Sequence, residues 1–258
     1  MINYREHPAL NHSKLKDMDK TPLYVYEKYI KKSFIEDQTD AMKIGTAFEN
    51  IVFYPDNHKV IYLPENIDRR TKLGKESYAE FITTYANHII IDRLDYNILH
   101  KMQQNLYKKN RWKDIDVKNC LFQQPIYFKY QDTDCKAELD IINVEKRIIW
   151  DLKSTSNIDV WSFSSSIKKF SYHTQAAFYI KAAQAQYGGT NWTYKLIACD
   201  KYAPYDCKFY PLPMEYIIAG MQKNEKRLTL YEQCMMFNDW PGEPDEDTEL
   251  PVYDWVIK

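Results

Sequence analysis

Residues 138–156 read ELDIINVEKRIIWDLKSTS, and two isoleucine-rich runs in this stretch each carry one aspartate. Branched apolar residues favour strands, so we expect antiparallel strands over 135–142 and 147–153, joined by a short turn. An ionised carboxylate is costly to bury without a partner. The two aspartates, Asp140 and Asp151, are therefore the residues of this hairpin that need a chemical explanation.

The number of residues in the turn decides whether the aspartates lie on one face of the sheet, because successive side chains in a strand point to opposite faces. With an even-numbered turn, Val144–Glu145 or Asn143–Lys146, we expect Asp140 opposite Ile149. Asp151 then shares its face at diagonal distance, and Lys153 joins them. An odd-numbered turn without a bulge would separate the two aspartates.

Two carboxylates on one face repel each other and lose hydration. Lys153 offsets part of this charge, and a Mg²⁺ or Mn²⁺ ion bound through oxygen ligands would offset more. The structural alternative is that Asp140 caps a turn while Asp151 pairs with Lys153 at the sheet rim. In the expected register Glu138 lies opposite Asp151, either as a further acid of the site or as a rim charge. Spacing alone leaves these alternatives open.

The composition is typical of a folded globular protein. The chain has 258 residues, of which 45% are hydrophobic and 15% aromatic, which is sufficient for a packed core. No run approaches the roughly 18 apolar residues of a membrane span, and the N-terminal stretch is polar, so we expect a cytoplasmic protein that does not enter a membrane. Its five cysteines lack the paired spacing of zinc or iron–sulfur ligands, which predicts free thiols.

Bulk charge does not indicate a nucleic-acid partner, because 35 basic and 36 acidic residues give a net charge of −1. Two local stretches are basic. Residues 69–75, RRTKLGK, contain four cations and no acid, and residues 101–118 contain six cations and two aspartates. Either stretch could bind phosphates, and the alternative for each is an ordinary solvated surface.

Apolar residues at helical spacing over 42–55 predict a helix that ends at Tyr54-Pro55 and has Glu49 at the border of its apolar stripe. Further helices are expected over 76–109, 168–187 and 212–237, and further strands over 120–130 and 191–201. This order predicts an α/β fold with a central mixed β-sheet flanked by helices, and with additional peripheral helices. We expect one domain over 1–258, with an N-terminal helical part (about 1–118), a sheet core (about 119–210) and a C-terminal helix and tail (211–258).

The spacing Asp-(10 residues)-Asp-Leu-Lys resembles the motif of the PD-(D/E)XK (restriction-endonuclease-like) nuclease superfamily, in which two acids and a lysine surround a metal. Within that superfamily, the segments MKIGTAFENIVFYP, RRTKLGKESYAEF, CKAELDII, IWDLKSTS and YHTQAAFY follow the order of RecE-type (exonuclease VIII-like) phage and prophage exonucleases. The segments DKYAPYDCKFYPLP and LPVYDW are similar to that family's tail. The related Cas4 and AddB nucleases have four iron–sulfur cysteines in a pattern that is absent here.

The resemblance implies a role for individual residues. Asp140, Asp151 and the carbonyl of Leu152 would bind the metal, and Lys153 would be the catalytic lysine. Where the family reads Gly-Thr-Ala-x-His, the histidine position is Glu49, which as a hard oxygen ligand can also hold Mg²⁺. The implied glutamine–tyrosine pair beside the metal is Gln175 and Tyr179. The implied DNA contacts are Arg69, Arg70, Lys72, Lys75, Ser154, Thr155 and His173.

The function implied by the resemblance is a Mg²⁺-dependent, ATP-independent exodeoxyribonuclease that digests linear double-stranded DNA from 5′ ends and leaves 3′ overhangs for recombination. Mn²⁺ would substitute for Mg²⁺. The family also implies a ring-shaped homo-oligomer, a trimer or tetramer, and a single-strand annealing protein as partner. The alternatives are an endonuclease built on the same core and a non-catalytic DNA-binding or scaffold subunit.

Overall fold

The computed structural model describes residue 4 and residues 6–57, 59–68 and 70–246. Arg69 and the LPVYDW segment lie outside the described residues. The helices are α1 (His12–Asp17), α2 (Pro22–Val25, followed by a π-helical turn over Tyr26–Ile30), α3 (Asp40–Phe53), α4 (Lys72–Thr84), α5 (Arg93–Lys108), α6 (Asn110–Lys113), α7 (Val160–Lys169), α8 (Tyr172–Tyr187) and α9 (Met214–Phe237). The strands are β1 (Val60–Tyr62), β2 (Ile89–Ile91), β3 (Leu121–Tyr130), β4 (Thr133–Asn143), β5 (Ile148–Thr155), β6 (Thr193–Asp200) and β7 (Cys207–Pro211).

A five-stranded mixed sheet with the order β3-β4-β5-β6-β7 organises the fold. Strands β5 and β6 are parallel, and α7 and α8 connect them, whereas the other three pairs are antiparallel. The predicted α/β fold with a mixed sheet flanked by helices is confirmed. The strands β1 and β2 form a separate parallel pair. The prediction of mainly helix over 76–109 is wrong at β2, because its three isoleucines pair with β1 instead of continuing a helix.

The β4–β5 turn spans Val144–Arg147 and so has an even number of residues, which confirms the shared face of the two aspartates. The exact pairing was predicted two residues out of register, because Ile149 pairs with Ile142 and not with Asp140. The turn ends later along the chain than predicted, and the side chain of Asn143 stabilises it. The Oδ1 atom of Asn143 accepts a hydrogen bond from the backbone N–H of Lys146 at 2.8 Å. In this register Asp140 lies directly across from position 151, and Glu138 does not.

The predicted helix over 168–187 begins later than expected. Ser171 has a left-handed φ of 60°, which ends α7 and separates it from α8 because few non-glycine residues continue a helix in that conformation. The C-terminal end is as predicted, since α8 stops at Tyr187 and Gly188 follows with a φ of 73°.

Two apolar layers enclose the sheet. On one face α8 packs against β3 and β4, and α9 packs on α8. On the other face α3 and α5 cover β5 and β6. Alternation along β5 distributes its residues between the layers: Ile149 joins the first, and Trp150 and Leu152 join the second. The sheet is therefore rigidly held at the strand that carries Asp151.

The β3–β4 hairpin changes its packing partner along its length. Near the β4–β5 turn, Phe122 and Ile141 belong to the α3–α5 layer, whereas Ile126 and Ala137 belong to the α8 layer. Gln123 lies at this change and has a left-handed φ of 43°. The hairpin therefore bends where it passes Asp140.

The N-terminal segment covers the edge of β4 that β5 leaves open. The N–H of Leu10 donates to the carbonyl of Asp134 at 2.9 Å, and the N–H of Lys136 donates to the carbonyl of Leu10 at 2.8 Å. Lys136 is buried, and its Nζ donates hydrogen bonds to the carbonyls of Tyr4 and His7. These bonds fix the segment beside the cleft between the two strands.

The five cysteines are free, as predicted, and all five are buried. Within the described part of the chain, we find no helix with the combined length and apolar character needed to cross a membrane.

Candidate active site

The candidate active site lies where β4 and β5 separate. Their backbone pairing ends at Ile141 and Trp150. Beyond this pair, the N–H of Leu152 donates to the Oδ2 atom of Asp140 at 2.8 Å, where a regular ladder would offer a backbone carbonyl. A cavity of about 250 Å³ opens here. Five residues predicted for catalysis line it: Glu49, Asp140, Lys153, Gln175 and Tyr179.

Asp151 forms the buried side of this site, with an exposed fraction of 1%. Neither of its buried carboxylate oxygens accepts a hydrogen bond of regular geometry from a described residue, although Lys153 and the Tyr194 hydroxyl lie beside them. The Nζ atom of Lys153 lies 2.6 Å from Oδ2 of Asp151 and forms an ion pair with it. Buried carboxylate oxygens normally have partners. These oxygens are therefore suited to an additional cationic partner.

The charges around Asp140 and Lys153 act on each other. Burial raises the pKa of Asp140 well above its usual value, and the carboxylates of Asp151 and Glu49 raise it further. Burial alone would lower the pKa of Lys153, but Asp151 and Asp140 outweigh this effect and hold that pKa above its usual value. Without a metal, the Lys153 ammonium thus lies beside acids that raise the pKa of Asp140.

These residues fit a hard divalent cation. The described residues contain no group of three or more His, Cys, Asp or Glu side chains close enough to hold a metal ion. Two carboxylates suffice, however, because Mg²⁺ is usually bound through one or two carboxylates and keeps several waters. Asp140 and Asp151 supply that pair. Glu49 lines the same cavity, and its role as a direct ligand stays a prediction.

The carbonyl of Leu152 is a suitable further ligand. In an extended strand the N–H and C=O of one residue point to the same side. Since the N–H of Leu152 bonds to Asp140, its carbonyl also points into the opening between β4 and β5. The role of this carbonyl as a metal ligand stays a prediction.

Gln175 and Tyr179 project from one face of α8 into the cavity. The Nε2 atom of Gln175 donates to the Tyr179 hydroxyl at 3.2 Å. Burial raises the pKa of Tyr179 well above its usual value, and Asp151 and Asp140 add to the shift. The Tyr179 hydroxyl therefore stays protonated and can donate a hydrogen bond towards the acids.

The sequence interpretation missed several residues of the site. Tyr194 on β6 is buried, and burial and the neighbouring Asp151 carboxylate raise the pKa of its hydroxyl. Lys136 also lines the cavity, as does Glu138, which the sequence left open as a further acid of the site or a rim charge. Their spacing of two along β4 was a usable signal, because alternate residues of a strand share a face. Tyr194 carried no such signal, since its proximity depends on the β5–β6 pairing.

The predicted DNA-contact residues that the structure describes do not line the cavity. Arg70 is exposed and pairs with Asp68 at 2.9 Å, and Lys72 and Lys75 are exposed on α4. His173 faces α9, where burial and then the cations Lys223 and Arg227 lower its pKa. The remaining two, Ser154 and Thr155, follow Lys153 at the end of β5, and Arg69 lies outside the described residues. Their contacts with DNA stay predictions.

His12 lines the cavity, although the sequence did not single it out. It provides a prediction about how the stability of the fold depends on pH. Burial lowers its pKa to about 3. Thr174 donates its hydroxyl proton to the Ser171 carbonyl at 2.9 Å, so its oxygen accepts from the neutral Nε2–H of His12 at 2.8 Å.

Between about pH 3 and pH 6.5, the unfolded chain binds a proton at His12 and the folded chain does not. Stability from His12 is therefore lost as the pH falls below 6.5, with a slope of up to about 1.4 kcal/mol per pH unit. We expect the difference in free energy of unfolding between the wild type and His12→Gln to shrink over this range, measured by urea unfolding at successive pH values. A constant difference would contradict the prediction.

The five-stranded mixed sheet flanked by helices is the fold expected for the PD-(D/E)XK class. A family model described as a PDDEXK-like domain of unknown function (DUF3799) matches residues 11–248. The chain belongs to this family, which confirms the predicted superfamily. No curated protein matches the chain.

Two solved structures can be compared with this chain. A candidate exonuclease from Eubacterium rectale is 11% identical and has a TM-score of 0.67, over 99% of this chain and 95% of that chain. At this identity the likeness shows a shared fold. A phage-related exonuclease from Haemophilus somnus 129PT is 11% identical with a TM-score of 0.32, over 75% of this chain and 95% of that chain.

Proposed function

We propose that this protein is a Mg²⁺-dependent, ATP-independent exodeoxyribonuclease that digests linear double-stranded DNA in the 5′→3′ direction. The observation that carries the proposal is the group of Asp140, Asp151 and Lys153 at the separation of β4 and β5, in which the Asp151 carboxylate is buried and has the Lys153 ammonium 2.6 Å away. A metal-binding acid pair beside a lysine is suited to hydrolysis of a phosphodiester, whose negative charge repels hydroxide.

Asp140, Asp151 and the Leu152 carbonyl would hold the metal, with Glu49 as a further acid. A bound Mg²⁺ would neutralise phosphate charge, lower the pKa of a bound water and stabilise the leaving oxygen. Lys153 donates hydrogen bonds to the attacking water or to a phosphate oxygen, and its charge opposes the charge that develops there. The Tyr179 hydroxyl and the Gln175 amide, which are hydrogen-bonded to each other, line the side of the cavity next to α8.

Polarity and biological context follow from the RecE-type resemblance. By this resemblance, the protein leaves 3′ overhangs for phage-type homologous recombination and works with a single-strand annealing partner. It forms a ring-shaped homo-oligomer and acts in the cytoplasm of a bacterium or phage-infected host. The exonuclease designation of the Eubacterium rectale protein with the same fold supports an exonuclease over other nuclease types. Mn²⁺ is expected to replace Mg²⁺, since both accept oxygen ligands.

The test compares linear duplex DNA with covalently closed circular DNA of the same sequence, with Mg²⁺ and with EDTA. We expect the linear DNA to be degraded only with Mg²⁺, and the circle to stay intact. Linear DNA labelled at the 5′ or 3′ end reports polarity, and the 5′ label should be released first. Opening of the circle would instead indicate an endonuclease. Binding of both DNAs without cleavage would indicate a non-catalytic subunit.

A further inference from the structure

We propose that Gln123 is a substrate-binding residue whose side-chain amide binds a phosphate oxygen of the DNA strand at the Asp140–Asp151 site. This inference rests on the proposed function and extends it to a residue outside the metal-binding motif. It is carried by the position of Gln123, by its backbone conformation and by the chemistry of the cavity wall.

Gln123 lies across β3 from the first metal-binding aspartate. The pairs Phe122–Ile141 and Gln124–Leu139 bracket it, so that position 123 falls opposite Asp140. Its side chain lines the same cavity as Asp140 and Lys153. Among the described residues, none is a hydrogen-bond partner of its amide, which leaves two N–H donors for a ligand.

The backbone of Gln123 is strained. Its φ of 43° lies in the left-handed region, which disfavours residues with a Cβ but costs glycine little. The bend of the β3–β4 hairpin explains why position 123 needs this conformation. It does not explain a glutamine, because a glycine would make the same bend with less strain. Strained non-glycine residues are often found at functional sites, and this one carries an amide into the cavity.

A neutral donor suits this wall of the cavity. Glu49, Glu138 and Asp140 bring negative charge that repels a phosphate, and the Nζ of Lys136 is already bonded to backbone carbonyls. The Gln175 amide donates to Tyr179. An uncharged amide at Gln123 can donate to a phosphate oxygen and does not pair with the metal-binding acids as a cation would. Hydrogen bonds to charged groups are among the stronger ones in proteins.

The chain offers a matched control in Gln131, which has the same side chain and a left-handed φ of 52°. It is exposed in the β3–β4 turn, eight positions along the chain from Gln123, or roughly 26 Å away in an extended strand. Gln123→Gly and Gln131→Gly therefore remove the same side chain and relieve the same type of strain. Gln123→Asn keeps an amide on a residue that tolerates this conformation.

The experiment measures thermal unfolding, binding of a fluorescent linear duplex with a 5′ phosphate in Ca²⁺, and steady-state cleavage in Mg²⁺. We expect Gln123→Gly to unfold at or above the wild-type temperature, to bind the duplex about tenfold more weakly and to cleave it more slowly. Gln123→Asn should retain part of the binding, and Gln131→Gly should bind and cleave as the wild type does.

Binding by Gln123→Gly within twofold of the wild type, or an equal loss in Gln131→Gly, would overturn the assignment. If Gln123→Gly fails to fold, wild-type binding by Gln123→Ala would overturn it in the same way, and weaker binding would support it. A wild type that binds the duplex but never cleaves it overturns the proposed function alone, because the binding comparison still tests Gln123. A wild type that neither binds nor cleaves overturns both.

Discussion

The Asp151→Asn protein is expected to cleave DNA at least about 10³-fold more slowly than the wild type. The stability of the metal-free fold should change little. The substitution keeps the size of the side chain and removes the charge that would hold the metal. Removing groups on which the transition-state charge depends typically reduces rates by about this factor or more. The rate is measured as release of acid-soluble nucleotides from linear duplex DNA in Mg²⁺.

Stability should be preserved because the charges can redistribute. In the wild type, Asp151 lies 2.6 Å from Lys153 while the pKa of Asp140 is raised by burial and by the neighbouring acids. With Asn at position 151, one source of repulsion disappears and the pKa of Asp140 falls. Asp140 can then become the ionised partner of Lys153, so that the site keeps one anion and one cation.

Metal-dependent stabilisation provides a second readout that does not depend on catalysis. A ligand at 100 times its dissociation constant stabilises the folded state by about 2.7 kcal/mol. The wild type should therefore unfold at a higher temperature in Mg²⁺ or Mn²⁺ than in EDTA, and Asp151→Asn should lose this difference. Asp134→Asn is the matched control, since Asp134 is 74% exposed on the same hairpin. A rate within tenfold of the wild type, or an intact metal shift, would contradict the assignment of Asp151.

The parts of this site that were predictable are those encoded locally. Two aspartates and a lysine at fixed spacing in one hairpin share a face for any even-numbered turn, so the Asp140–Asp151–Lys153 group followed from alternation alone. The exact register did not follow. It depends on the side-chain bond of Asn143 and on the left-handed conformation of Arg147, which apolar patterning does not reveal.

The parts that sequence did not reveal come from distant segments. The cavity exists because β5 leaves β4 after Trp150, and because the N-terminal segment bonds to the open edge of β4 at Leu10. His12 and Tyr194 reach the site only through this arrangement and the β5–β6 pairing. The exposed lysines of α4 show the converse: a basic stretch indicates where cations lie in the sequence, but not whether they lie near a buried pair of acids.

Lys153→Met is expected to slow cleavage by at least about 10²-fold and, in EDTA, to destabilise the fold by about 3 kcal/mol. The methionine keeps much of the lysine's length and removes the cation. Breaking a buried ion pair from one side leaves an uncompensated charge, which typically costs several kcal/mol. In this case the charge is that of Asp151, which is 1% exposed.

The sign of the pH dependence distinguishes this cause from a packing defect. Without the cation, the folded-state pKa of Asp140 rises further above its value in the unfolded chain, because Lys153 opposes that rise in the wild type. A raised acid pKa stabilises the fold at low pH, and this stability is lost as the pH rises through the folded-state pKa. The deficit of Lys153→Met relative to the wild type should therefore grow as the pH rises above about 4, measured by urea unfolding in EDTA, whereas a packing defect would be independent of pH.

Added metal should separate the two roles of Lys153. A divalent cation bound by Asp140 and Asp151 supplies the missing positive charge, so Mg²⁺ or Mn²⁺ should recover much of the lost stability. It should not recover the rate, because Lys153 also donates to the attacking water or the phosphate. Lys168→Met, at an exposed position of α7, should match the wild type in both measurements. If metal restores both the stability and the rate of Lys153→Met, then Lys153 only compensates charge and takes no part in the cleavage step.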